Sequence, residues 1–272
     1  MKRTTEILLV SMPFAPLEQS HVTETALLGA ARTRGIRAEA LYASLRLGEK
    51  IGTAFYRFLS EDWWSRDTLV GEWLFSRPAE LSTEEEHGVY GMRIQEEYRR
   101  LARERIGDSN LLSSVDFGEL RTVCMQLVRD EAEKIVRFQP RIVCCGSSFC
   151  RRAASVAVLQ IIKSLDPSIA TMIAGAEGED QMDAADLRRY PWVDYVFPEH
   201  AEETFLAICG LVLNDGTGSI RPGVPLGVTQ CTNRRCALGE GYAFCKYFSH
   251  KDRFGAMSEA GISTFTGSRH PA

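Results

Sequence analysis

The chain has 272 residues, enough for one large domain or two small ones and for a sizeable buried core. Hydrophobic residues make up 44% and charged residues 25%, the balance of a globular protein, which excludes disorder, a collagen-like repeat and a coiled coil. The net charge of −4 provides no attraction for nucleic acid or an anionic membrane, so neither is expected as a partner.

Lys2 and Arg3 precede a short apolar run, Ile7 to Val10, too brief for a secretory signal, and no stretch reaches the ~20 apolar residues of a membrane span. The eight cysteines are scattered without a framework spacing, so free thiols and a cytoplasmic location are expected. Ile7 to Val10 reads as a parallel strand covered on both faces. Thr23 to Arg34 reads as an amphipathic helix ended by Gly35, and Ala38 to Leu41 as a second strand.

Residues 42–115 then interrupt the alternation with an aromatic-rich helical pattern that contains Trp63, Trp64 and Trp73. So long a connection needs structure of its own and is read as a helical insertion over the sheet, with the tryptophans in its core. The alternation resumes with a helix from Asp116 to Phe138 and a strand from Ile142 to Cys145. It continues with a helix from Ala153 to Leu165, a strand from Thr171 to Ala174, and a helix from Gln181 to Tyr190. A strand from Asp194 to Phe197 and a helix from Glu202 to Leu213 close the series. The pattern predicts an α/β fold with a doubly wound five-stranded parallel sheet, followed by an irregular tail from Asn214 onward.

In such a sheet a ligand lies beyond the carboxyl ends of the strands. The loops there are Ser11 to Ala15, Gly146 to Cys150, Gly175 to Gly178 and Pro198 to Glu202. Each is small, polar or glycine-bearing: suited to a flat ligand that approaches the backbone, and equally suited to an ordinary strand-to-helix turn. Neither a G-x-G-x-x-G after the first strand nor a G-x-x-x-x-G-K-[ST] is present, which disfavours nucleotide sites of those types.

The stretches ILLVSMPFAPLEQS, RGIRAEALYASLRLGEKIG, GEWLFS, PRIVCCGSSFCRRAASVAV, DPSIATMIAGAEGE and YPWVDYVFPEHAEETF, in that order, resemble the amino-terminal part of a known family. It comprises the cobalamin (B12)-dependent radical S-adenosylmethionine enzymes that mature ribosomally synthesised peptides. The resemblance spans about residues 5–210. It implies a flavodoxin-like, B12-binding type of domain over 1–213, with the insertion at about 42–115. Residues 214–272 then form a linker and the degenerate start of a radical domain. The corrin-contacting positions it implies are Pro13, Phe14, Ser147, Ser148, Phe149, Gly175, Ala176, Glu177 and Glu199. No Asp-x-His-x-x-Gly motif occurs, so a histidine that displaces the nucleotide base from cobalt is not expected.

The radical chemistry of that family needs three cysteines around a [4Fe–4S] cluster. Cys236 and Cys245 resemble the two ends of the longer motif, with Tyr242 in the middle position, and are the candidate metal ligands. The stretch after Cys245 is too short for a catalytic barrel, so neither the cluster nor S-adenosylmethionine is expected in this chain. The expected function is that of a cobalamin-binding domain protein related to peptide C-methyltransferases and not catalytic alone. Its partners would be the corrinoid and a peptide substrate or a companion radical enzyme. The alternative is a cofactor-less interaction module or partner subunit, favoured by Ala174, Pro198, His200 and Ala201 where the family has mainly glycine and glutamate.

Overall fold

The computed structural model describes residues 5–17, 22–76, 84–106, 115–147, 150–175, 190–197, 201–215 and 229–230. The chain runs β1 (Ile7–Ser11), α1 (Val22–Thr33), β2 (Ala38–Tyr42), then α2 (Ala43–Ile51), α3 (Thr53–Glu61), α4 (Trp63–Asp67) and α5 (Val70–Phe75). It continues with α6 (Glu84–Ile106), α7 (Phe117–Arg137), β3 (Ile142–Ser147), α8 (Arg152–Leu165), β4 (Ala170–Gly175), β5 (Tyr195–Phe197), α9 (Glu202–Asp215) and β6 (Thr229–Gln230).

The sheet order is β2-β1-β3-β4-β5-β6, and the first five strands are parallel. This is the doubly wound arrangement that the repeated strand and helix pattern predicts. A sixth, two-residue strand adds to it: Thr229–Gln230 pairs antiparallel with β5. The predicted helix from Gln181 to Tyr190 lies outside the described residues, except for Tyr190 itself, which is buried and not helical.

Alternation along the strands divides the core into two faces. Ile7, Leu9, Ile142, Cys144, Met172 and Ala174 pack with Leu27 of α1 and with Phe205, Ile208 and Cys209 of α9. Leu8, Val10, Val143, Cys145 and Ile173 pack on the other side with α7, α8 and the insertion. The insertion shares that second core: Leu47, Tyr56, Leu59, Trp64, Leu74 and Phe75 belong to the same contiguous cluster as the strands.

Its helices are short because the sequence punctuates them. Gly52, at φ 86°, separates α2 from α3 in a conformation that favours glycine. The Asp62 carboxylate caps α4 by accepting from the Trp64 N–H at 2.8 Å, and left-handed Leu69, at φ 49°, redirects the chain into α5. Trp64 and Trp73 are buried as expected, but Trp63 is not part of the core: it is 73% exposed. Adjacent residues on a helix face different ways, so only one of the two tryptophans can point inward here.

Candidate functional site

The switch point of this topology lies between β1 and β3, where successive connections leave toward opposite faces. On the α1/α9 face the strand ends there carry small side chains. Ser11 closes β1, Gly146 follows Cys145, the register partner of Val10, and Ala174 pairs with Gly146 from β4.

A buried ion pair occupies the space above them. Arg151 Nη1 lies 3.1 Å from Glu24 Oε1, with side-chain exposures of 12% and 5%. Glu24 belongs to the first turn of α1, and Arg151 is the N-cap residue of α8, so the pair spans the sheet edge from one helical layer to the other. A Cβ built on Gly146 would stand 3.4 Å from Arg151 Nη1 and 3.6 Å from Glu24 Oε1. The close approach that glycine permits here is therefore made by the protein's own charges.

On the opposite face the loop after β1 turns inward. Pro13 is buried, and Phe14 is 2% exposed. The Phe14 ring packs against Tyr56 of α3 at 5.3 Å and Phe75 of α5 at 5.8 Å between centroids. The Phe14 N–H donates to the Cys150 carbonyl at 3.2 Å, and the Tyr56 hydroxyl donates to the Ala15 carbonyl at 2.7 Å. Burial pushes the Tyr56 phenol far above its ordinary pKa, so it stays a donor. Gly71 of α5 leaves room for this packing: a Cβ there would meet the Phe14 ring at 3.1 Å. The two residues implied as ring contacts after β1 thus belong to the joint between sheet and insertion.

The strand ends β3 and β4 present a different surface. Ser147 is 1% exposed, and its hydroxyl makes no hydrogen bond among the described residues. Its register partner on β4 is Gly175, which contributes no side chain. By strand alternation both face the side covered by α8, whose first turn is tied to the end of β3 by Ser155 Oγ donating to the Gly146 carbonyl at 2.6 Å. An orphaned buried hydroxyl beside a glycine can accommodate a polar edge of a flat ligand. The β3–β4 end thus keeps one unpartnered buried hydroxyl, whereas at the β1 end Phe14 packs against Tyr56 and Phe75. Ser148, Phe149, Ala176, Glu177 and Glu199 lie outside the described residues, as do Cys236 and Cys245.

Among the described residues no group of three or more His, Cys, Asp or Glu is placed to hold a metal ion. Cys124, Cys144, Cys145 and Cys209 are free, buried thiols, and Cys150 is buried as well. Burial raises the thiol pKa of Cys144 and Cys145, which removes them as nucleophiles at neutral pH.

A second polar cluster lies within the insertion. The His87 ring stacks on Trp73 at 5.3 Å, its Nε2 stands 3.3 Å from Ser76 Oγ, and Arg121 reaches the Ser76 carbonyl at 2.5 Å. Ser76 Oγ also lies 3.3 Å from the Trp73 carbonyl, so its hydroxyl proton has two acceptors within reach, and the direction of the His87–Ser76 bond follows the imidazole tautomer. Ser76 and His87 are both buried, so the cluster ties α5 to α6 away from solvent.

Sequence reasoning passes over Glu24 and Arg151, which lie 127 residues apart. The signal for them is Arg151-Arg152 at a helix start, where positive charge opposes the helix dipole and calls for an acidic partner. Comparison of the chain with models of known families, with curated proteins and with solved structures returned no match. Among the described residues no helix is long and apolar enough to cross a membrane.

Proposed function

We propose that the chain is a cobalamin-binding domain protein of the cytoplasm, related to B12-dependent radical S-adenosylmethionine enzymes that methylate ribosomally made peptides, and not catalytic on its own. The observation that carries this reading is the orphaned Ser147 hydroxyl beside Gly175 at the carboxyl end of a parallel β2-β1-β3-β4-β5 array. There a macrocycle could press against backbone while one of its amide side chains satisfies the hydroxyl. Ser147 and Gly175 would hold the group together with Ser148, Phe149, Ala176, Glu177 and Glu199. A bound corrinoid supplies methyl-transfer chemistry; the chain's part is to seat it and exclude water. The peptide substrate or a companion radical enzyme would complete the reaction. The free buried thiols of Cys124, Cys144, Cys145 and Cys209 agree with a reducing compartment.

The test is to incubate the purified full chain with hydroxocobalamin, desalt it and record the visible spectrum. Retained corrin absorbance in stoichiometric amount is the expected result, and colourless protein argues against the reading. A cofactor-less interaction module is the second reading, favoured by the filled β1 end and the Glu24–Arg151 closure. It expects a peptide or partner chain to bind while no corrinoid is retained.

A further inference from the structure

We infer that Arg121, at the seam where the end of α5 meets α6 and α7, is a seat for the carboxylate of a small organic acid. The seat belongs to the insertion and does not depend on a corrinoid at the strand ends.

Arg121 lies one turn into α7, and its guanidinium stands among groups from two other helices. Its Nη2 donates to the Ser76 carbonyl at 2.5 Å, and its guanidinium carbon is 5.8 Å from the centroid of the Trp73 ring, on which His87 stacks. Ser76 and His87 are buried and Arg121 is half-buried. A cation that has lost part of its hydration ordinarily has an anion beside it. Arg46 has Glu131, Arg93 has Glu97 and Arg151 has Glu24. Among the described residues no carboxylate pairs with Arg121, and its hydrogen bond to Ser76 goes to an uncharged carbonyl. Its Nε is buried without a partner. The adjacent His87 imidazole is held neutral by burial and by the Arg121 charge itself, so it offers no compensation. Glu84, Glu85 and Glu86, which open α6, are exposed, and water screens their charge.

A carboxylate completes this arrangement. Its two oxygens match the planar fork of a guanidinium, and a charge-assisted bond restores part of what burial removed. Ser76 Oγ and His87 Nε2, 3.3 Å apart, add a polar pair beside the cation. Nη1 is neither buried nor bonded among the described residues, so an anion approaches the guanidinium end-on, which suits a small acid better than a broad protein surface.

The experiment measures thermal unfolding of the full chain at pH 7.5 in about 100 mM acetate against chloride at equal ionic strength. For a dissociation constant on the order of 10 mM, the wild-type midpoint is expected to rise by about 3 °C in acetate. Arg121→Gln removes the charge and keeps an amide donor for the Ser76 carbonyl; it is expected to lose that rise. No rise in the wild type, or the same rise in the variant, overturns the seat, as does a rise with inorganic phosphate and none with acetate. Should the variant fail to fold, phenylglyoxal labelling of the wild type decides, with each arginine followed by mass spectrometry. Modification of Arg121 at least about threefold slower in acetate than in chloride, with exposed Arg100 unchanged, upholds the seat. Equal behaviour of Arg121 in the two salts, including no reaction in either, overturns it. Retention or loss of cobalamin bears on the corrinoid reading alone and leaves these outcomes as they are.

Discussion

The Glu24–Arg151 pair makes a quantitative prediction about the closed half of the sheet edge. Two unit charges 3.1 Å apart attract by about 5 kcal/mol at an effective dielectric of about 20, and desolvation of both groups offsets most of that gain. The net worth of the intact pair is therefore small, but each member alone is a liability. Arg151→Met leaves the Glu24 carboxylate buried with its cation gone, and Glu24→Leu strands the guanidinium. Each is expected to cost about 3–5 kcal/mol, a large share of the ~5–15 kcal/mol that holds a domain together. The double variant Glu24→Leu/Arg151→Met replaces both charges with apolar groups over Gly146 and is expected within about 1 kcal/mol of wild type. Urea unfolding at neutral pH measures all four proteins, and the coupling is read from the failure of the single costs to add. The reasoning is refuted if Arg151→Met alone costs less than about 1 kcal/mol, or if the two single costs sum in the double variant.

Three further outcomes follow from the packing. Burial, reinforced by the Arg121 charge, pushes the His87 imidazole down to about 4, so the folded state holds it neutral. The stability this represents is complete above the ordinary value of 6.5 and is lost as pH falls toward 4. Unfolding free energy is expected to drop by about 2 kcal/mol between pH 7.5 and pH 5, a slope that His87→Gln removes; identical slopes in the two proteins would contradict it. In α6, Gly88 has open space where a Cβ would stand, whereas a Cβ on Gly91 would lie 2.4 Å from the Trp73 ring. Gly88→Ala is expected to raise stability by about 1 kcal/mol and Gly91→Ala to lower it by about 1–3 kcal/mol, measured side by side by thermal unfolding. Phe14→Ala empties the joint against Tyr56 and Phe75 and is expected to cost about 3–5 kcal/mol in urea unfolding with no ligand present; a loss below about 1 kcal/mol would mean that Phe14 is not core.

Strands β1 and β3 are legible in the sequence because a strand covered on both faces leaves an unbroken apolar run, as in Ile7 to Val10 and Ile142 to Cys145, whereas edge strand β2 shows itself only by its place after the helix-ending Gly35. The sixth strand is not, since two residues carry no period. The insertion announces its helical character through its aromatics, but its division into α2 to α5 depends on Gly52 and Asp62, turn chemistry that a broad pattern blurs. At the site, Ser147 and Gly175 are legible as strand-end residues of a fold whose edges bind ligands. The burial of Phe14 is not, because its position after β1 says nothing about Tyr56 and Phe75 closing over it from the insertion. Glu24 and Arg151 meet only in three dimensions; the clue is a cation at a helix start that the dipole disfavours.

The contiguous cluster that joins Val10 and Phe14 to Tyr56, Leu74 and Phe75 has a dynamic consequence. A cover that opens and shuts over a cleft must have its own, weaker stability, but α3 and α5 have no separate interior to retain when they lift away. Amide hydrogens in α5 and in β1 are thus expected to exchange with solvent in a single cooperative event, at the same free energy. Room for a ligand at the β1 end would therefore come only at the expense of the whole shared core.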